Sequence, residues 1–177
     1  MKLTRYTDFA LRVLIYLALN PDRQCSIAEI AASYHVSENH LMKVVQQLAH
    51  EGLVATMRGR GGGLRLGRNP QEIRVGAVVR LTEPDMDLAE CSNCVISGVC
   101  GLTSVFGQAT SAFLNALDRV TLADVIRSGD RLHALLRLGL APSNRKRRKK
   151  SDVMKPLQEF QQLSVRDTSK RAKRGPK

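Results

Sequence analysis

Ser37-Glu-Asn-His-Leu-Met-Lys-Val-Val-Gln-Gln-Leu-Ala-His-Glu-Gly52 is the stretch that sets the fold of this chain. Ser37 is a natural helix N-cap, because its hydroxyl accepts an exposed amide of the first turn. Leu41, Val44, Val45 and Leu48 follow the i, i+3, i+4, i+7 spacing of a single buried stripe. The opposite face carries Asn39, Lys43, Gln46, Gln47 and His50. Gly52 suits the left-handed residue that closes a helix. Just upstream, Ser26-Ile27-Ala28-Glu29 has the form of a capping box, with hydroxyl and carboxylate satisfying backbone amides reciprocally. It opens a helix with Ile27, Ile30 and Ala31 on one face, and Tyr34-His35-Val36 turns between the two. Two helices across a tight turn, the second with a polar outer face, form a helix-turn-helix.

Downstream, Leu53-Val-Ala-Thr-Met57 and Leu64-Arg-Leu66 flank Arg58-Gly-Arg-Gly-Gly-Gly63. Two short strands on a glycine-rich turn make a wing, and glycine lets backbone amides come close to a phosphate. Val75, Val78, Val79 and Leu81 then suggest a fourth helix, stopped near Glu83-Pro84. Upstream, Thr7 to Leu19 is apolar on nearly every side (Phe9, Ala10, Leu11, Val13, Leu14, Ile15, Leu17, Ala18), so that helix must be buried around most of its girth. Asn20-Pro21-Asp22 ends it.

The winged-helix pattern assigns roles to particular side chains. Ser37, Asn39, His40 and Lys43 occupy the first turns of the reading helix, where side chains reach base edges and flanking phosphates of double-stranded DNA. Asn pairs with adenine, and Lys meets guanine or phosphate. Ser37 also has the purely structural role of a cap, Glu38 balances the helix dipole, and His40 has a solvated alternative. Arg58 and Arg60 flank the wing glycines; the alternative for them is two solvated cations.

The 177 residues fit one domain of about 100–150 residues plus a tail. The formal charge of +12 is uneven. Residues 143–177 hold 13 Lys/Arg against 3 Asp/Glu, whereas residues 1–142 hold 15 against 13. The folded body is nearly neutral, so a specific DNA site there uses a few placed cations rather than a bulk field. No stretch of ~18 apolar residues predicts a membrane span, and the N-terminus lacks the pattern of a signal peptide. The expected location is cytoplasmic, where clustered cysteines more often serve metal or redox chemistry than structural disulfides.

Such a cluster follows the winged module: Cys91-Ser-Asn-Cys94-Val-Ile-Ser-Gly-Val-Cys100. By residue chemistry alone, three close thiolates suit an iron–sulfur cluster, a structural zinc site lacking an evident fourth ligand, or a dithiol redox pair of Cys91 and Cys94 acting as a thiol oxidoreductase. Asp85, Asp87 and Glu90 are nearby carboxylates, and Cys25 lies far off as a small surface or buried residue. Asp8, taken alone, is an N-terminal helix charge favoured by the dipole.

Beyond the loop, Leu102, Val105, Phe106, Ala109, Phe113, Ala116, Leu117 and Val120 recur by threes and fours over about twenty residues, an amphipathic helix. So long a stripe in a small domain implies a partner, so this is a dimerisation helix. Thr121-Leu-Ala-Asp124 caps a short further helix around Val125. Asn144 to Lys150 and Lys170 to Arg174 are basic blocks of a disordered tail. The fold class is mainly α. Residues 1–82 form the winged helix-turn-helix domain with its small β-wing, 83–100 a cluster-binding loop, 101–140 the dimerisation helix region and 141–177 the tail.

Arg5-Tyr-Thr-Asp-Phe-Ala-Leu-Arg12, Ser37 to Lys43, Arg58 to Gly63, the three cysteines and Leu122-Ala-Asp124 together resemble the NsrR group of iron–sulfur winged-helix regulators, over roughly residues 1–137. IscR belongs to the same wider family. The resemblance implies a homodimeric repressor on a palindromic operator, releasing promoter DNA when nitric oxide nitrosylates or removes its cluster, of the 2Fe–2S or 4Fe–4S kind. It implies Cys91, Cys94 and Cys100 as ligands, with Asp8 from the partner's first helix as the fourth. It also implies that Arg58 enters a minor groove. The same resemblance leaves a regulator of iron–sulfur or redox status as an alternative. Two departures are visible: only Ser92 and Asn93 separate the first two cysteines, fewer than in NsrR relatives, and Thr103 stands where IscR-like members carry a histidine ligand.

Overall fold

The computed structural model describes residues 2–59 and 62–137. Arg60 and the basic tail expected over 141–177 therefore lie outside the described residues.

Helix α1 (Arg5–Ala18) begins at Thr4, whose hydroxyl accepts the Thr7 amide. The expected all-round apolar character holds: Ala10, Val13 and Leu14 are completely buried, while Phe9, Leu11 and Ile15 are half-buried around them. α1 packs against α3 (Glu38–His50), α4 (Val75–Thr82) and the wing. One buried polar contact is built in. Thr7 and Thr82 hydroxyls meet at 2.8 Å, and Thr82 also donates to Val78 O at 2.8 Å, so neither buried hydroxyl lacks a partner.

Helix α2 (Ile27–Tyr34) is capped by Ser26, which accepts the Glu29 amide at 3.1 Å. The reciprocal half of the expected capping box is missing. The Glu29 carboxylate instead takes Arg23 at 2.7 Å and the Tyr16 hydroxyl at 3.2 Å. Two side-chain donors, one charged, outcompete a single backbone amide. Burial works to raise the Glu29 pKa, but the Ser26 and Arg23 contacts outweigh it and hold the carboxyl below its usual range. His35 turns the chain between α2 and α3 in the left-handed region, φ 51°.

Leu41, Val44, Val45 and Leu48 of α3 are buried, as their spacing requires. Gly52 closes the helix at φ 69°. Strands β1 (Val54–Met57) and β2 (Gly63–Leu66) pair antiparallel, Val54 opposite Leu66 and Met57 opposite Gly63. Cys25 adds a bridge on the far side of β2, with Leu64 N–H donating to Cys25 O at 2.8 Å. A Cβ at Gly62 would lie 2.4 Å from Met57 O, so only glycine fits that point of the wing turn.

The amphipathic helix is α5 (Gly101–Asp118), and it buries no residue within the chain. Leu102 and Val105 are each 55% exposed. α6 (Leu122–Val125) carries a complete capping box, Thr121 with Asp124, as its sequence suggests. α7 (Gly129–Arg137) was not expected. It reaches back to the end of α1, where the His133 ring donates to Leu19 O. Among the described residues, no helix is long and apolar enough to cross a membrane.

Candidate functional site

The start of α3 projects from the body. Ser37, Asn39, His40 and Lys43 are all exposed. Ser37 stands at the N-cap, yet its side chain makes no capping hydrogen bond, which leaves the hydroxyl to the outside. His40 is less independent: its ring stacks on Phe9 of α1, centroids 6.1 Å apart. Gln47 does not face outward as its place in the polar stripe suggested. Its Oε1 accepts the Tyr6 hydroxyl at 2.5 Å and its Nε2 donates to Leu81 O at 2.9 Å. Tyr6 also donates to Lys43 O at 3.2 Å. Tyr6 and Gln47 thus fix the pitch of the reading helix against α1 and α4. Gln47 turns in because a half-buried amide needs partners and α1 offers one.

Arg58 follows β1 at the wing and is exposed. The Cys25 bridge ties the base of that wing to the start of α2. Cys25 itself is buried, and burial pushes its thiol pKa up to about 11, so it is an inert structural sulfur.

The segment after α4 carries the other three sulfurs, all free thiols. Cys91 opens a short 3₁₀ turn (Cys91–Asn93), and Cys100 is the N-cap of α5. Local bonds shape the loop: Cys94 N–H donates to Cys91 O at 3.2 Å and Cys100 N–H to Ile96 O at 2.9 Å. Cys94 is exposed, and Cys91 and Cys100 are half-buried. Cys91 lines an open cavity of about 590 Å³ with Asp87, Ser97, Thr103 and Phe106. Among the described residues, no three His, Cys, Asp or Glu side chains converge to hold a metal ion, so the loop places the thiols in one segment without gathering them. Val95 and Val99, 101% and 91% exposed, leave the loop uncovered on its outer side.

Asp8 sits on α1, away from the loop in sequence. Arg12, four residues on, grips its carboxylate at 2.7 and 3.1 Å. Arg12 also lies 5.5 Å over the Tyr34 ring and 6.0 Å over that of Phe9. Burial pushes the Tyr34 hydroxyl up to about 12. The carboxylate stays 46% exposed, and an exposed i,i+4 pair is worth only about 0.3–0.5 kcal/mol, so Arg12 holds Asp8 lightly. The Asp8–Arg12 spacing is visible in the sequence. The Tyr6–Gln47 clamp is visible only in the fold.

The donor chemistry fits an iron–sulfur cluster: three uncommitted soft sulfurs on one short loop, and a lightly held hard carboxylate on α1.

Residues 3–128 match the family described as "Rrf2: Iron-dependent Transcriptional regulator". The HTH-type transcriptional regulator NsrR of Bacillus licheniformis is 49% identical over 142 residues, covering 77% of this chain and 99% of the relative. The regulator of the same name from Bacillus subtilis is 48% identical over 144 residues, covering 78% and 99%. Among solved structures, the chain is similar to CymR, the global cysteine regulator of B. subtilis, with TM-score 0.61 and 26% identity over 72% of this chain and 98% of that one. It is also similar to IscR of T. potens, with TM-score 0.62 and 25% identity over 75% and 90%.

Proposed function

Since the chain belongs to the Rrf2 family of transcriptional regulators, we propose that it is a dimeric repressor that holds an iron–sulfur cluster and lets go of its operator in response to nitric oxide. It is a regulator rather than an enzyme, as its named relatives are. The observation that carries the reading is the placement of three free cysteines between a winged DNA-reading module and a helix with an uncovered apolar stripe.

Two copies cover each other's α5 stripes. Dimer symmetry then presents two α3 helices to successive major grooves, about 34 Å apart, and so selects a palindrome. Asn39 and Lys43 meet base edges, Ser37 and His40 flank them, and Arg58 enters the adjacent minor groove. Cys91, Cys94 and Cys100 would hold the cluster, with Asp8 of the second copy, released from Arg12, as the fourth ligand. When bound, the cluster supplies the iron with which nitric oxide reacts. Thiolates bound in common would pin residues 91–100 into one conformation. Once released, the loop is held by its own short turns and by Thr110, which donates to Met86 O at 3.3 Å. The dimer then populates spacings that miss the half-sites. A hundredfold loss of affinity needs only about 2.7 kcal/mol of differential binding, which reorientation supplies without unfolding.

Oxygen-free purification followed by a visible spectrum tests this directly. The protein should be coloured, should lose its band on exposure to nitric oxide, and should release promoter DNA in parallel. Cys94→Ala should be colourless. Material free of iron and sulfide that binds promoter DNA equally with and without nitric oxide refutes the reading; a colourless zinc protein does so too.

A further inference from the structure

Within the described part of the winged domain, residues 2–82, two large apolar side chains are exposed: Met42 at 49% and Met57 at 58%. Both lie on elements that face DNA in the reading above. Met57 is occupied at the wing, where its sulfur accepts Gln24 Nε2 at 2.9 Å. Met42 lies on α3, three residues after Asn39 and four before Gln46, both exposed and polar. That spacing puts the three on one face. Its flanking apolar neighbours Leu41, Val44 and Val45 are all buried. A helical side chain leans toward the preceding turn, so the thioether covers the surface beside Asn39.

We infer that Met42 is a specificity residue that reads the C5-methyl group of thymine in the major groove. The thymine methyl is the apolar feature that base edges present there. Methionine suits the task, because its unbranched, polarizable chain adapts to a contact it need not fill rigidly. Asn39 on the same face is fitted to adenine, the base that pairs with thymine. Asn39 and Met42 together then specify A·T pairs from the two bases' shares of the major-groove edge, one by hydrogen bonds and one by burial of a methyl. The inference rests on the proposed DNA binding, and it adds a named contact to it.

The probe is a duplex selected by the full-length, anaerobically purified protein from a random-sequence library, with each thymine replaced singly by deoxyuridine. This exchange removes one methyl and leaves every hydrogen-bonding group. The wild type should lose about fourfold in affinity at one thymine per half-site, the worth of one buried methyl-sized group. Met42→Ala should bind the thymine duplex less tightly and be indifferent to deoxyuridine at that position, with other positions unchanged. Met42→Leu should keep the methyl dependence. If every replacement is silent for the wild type, or if Met42→Ala keeps the same methyl dependence, the inference is wrong while DNA binding stands. If no duplex is selected at all, the DNA-binding reading falls and takes the inference with it.

Discussion

Gly76→Ala probes the junction where α4 meets the end of α5. A Cβ at residue 76 would stand 2.1 Å from Asp118 Oδ1, 2.8 Å from its Cγ and 3.0 Å from its backbone nitrogen. The carboxylate can swing aside, but it then abandons Arg80, which grips it at 2.6 and 2.7 Å. The backbone nitrogen has no such freedom. Forcing a methyl into a packed contact of this kind costs about 1–3 kcal/mol. Replacing glycine by alanine in a helix returns at most about 1 kcal/mol, and less in the first turn, where residue 76 lies. The expected net loss is about 1–2 kcal/mol. Urea denaturation of wild type, Gly76→Ala, Asp118→Ala and the double variant, at one protomer concentration, measures it. Without the Asp118 side chain, the cost of the added methyl should fall by about half, because the side-chain part of the clash is gone. A Gly76→Ala variant that is stabilised, or whose cost ignores Asp118, refutes the packing argument.

Tyr6→Phe should cost about 1 kcal/mol, the usual worth of a hydrogen bond, and should weaken operator binding at fixed salt because Gln47 loses its anchor. Unchanged affinity and stability would show that the clamp does not set the reading helix. Asp124 is held down to about 2 from an ordinary 3.8, by the Thr121 amide first, then by the Thr121 hydroxyl and Arg127. A depressed folded value stabilises the protein above the ordinary value, and that stabilisation is lost as pH falls from 3.8 toward 2. Asp124→Asn should therefore flatten the acid limb of a stability–pH curve in that window. An unaltered acid limb would discount the capping contact. Arg58→Ala should weaken specific binding by at least ~1 kcal/mol, measured by anisotropy at fixed salt. Equal affinity would reject the minor-groove contact.

What the sequence reveals here is local chemistry. The girth of α1, the stripe of α3, the Gly52 cap, the glycine wing and the Thr121–Asp124 box each depend on residues a few positions apart, and each appears in the structure. One local expectation fails, since the Ser37 hydroxyl makes no capping bond to its helix, and the other exceptions involve partners beyond the local turn. Glu29 has the spacing of a capping box, but Arg23 and the Tyr16 hydroxyl claim its carboxylate. Gln47 reads as an outward polar residue, and Tyr6, forty-one positions away, turns it inward. α7 is a short helix whose packing against α2 and the end of α1 has no signature in its own nine residues. The three cysteines are legible as a group because they are adjacent. Their side-chain geometry is not, because the backbone hydrogen bonds along residues 91–100 are short local turns that leave the relative placing of the sulfurs open.

Val75 N–H donates to Val120 O at 2.9 Å and Leu122 N–H to Ile73 O at 2.8 Å, so the foot of α5 is stitched to the chain entering α4. The opposite tip of the rod carries the thiol segment and buries nothing within the chain. The rod is thus a lever with its fulcrum at the rear of the winged domain and its handle at the sulfurs. A tilt imposed at the Cys100 end would reach the junction with Gly76 and Arg80 some five helical turns away. Amide hydrogens should exchange fastest near Cys94 and slowest around Val78 and Leu122, a gradient of compliance running from the chemical end to the mechanical one.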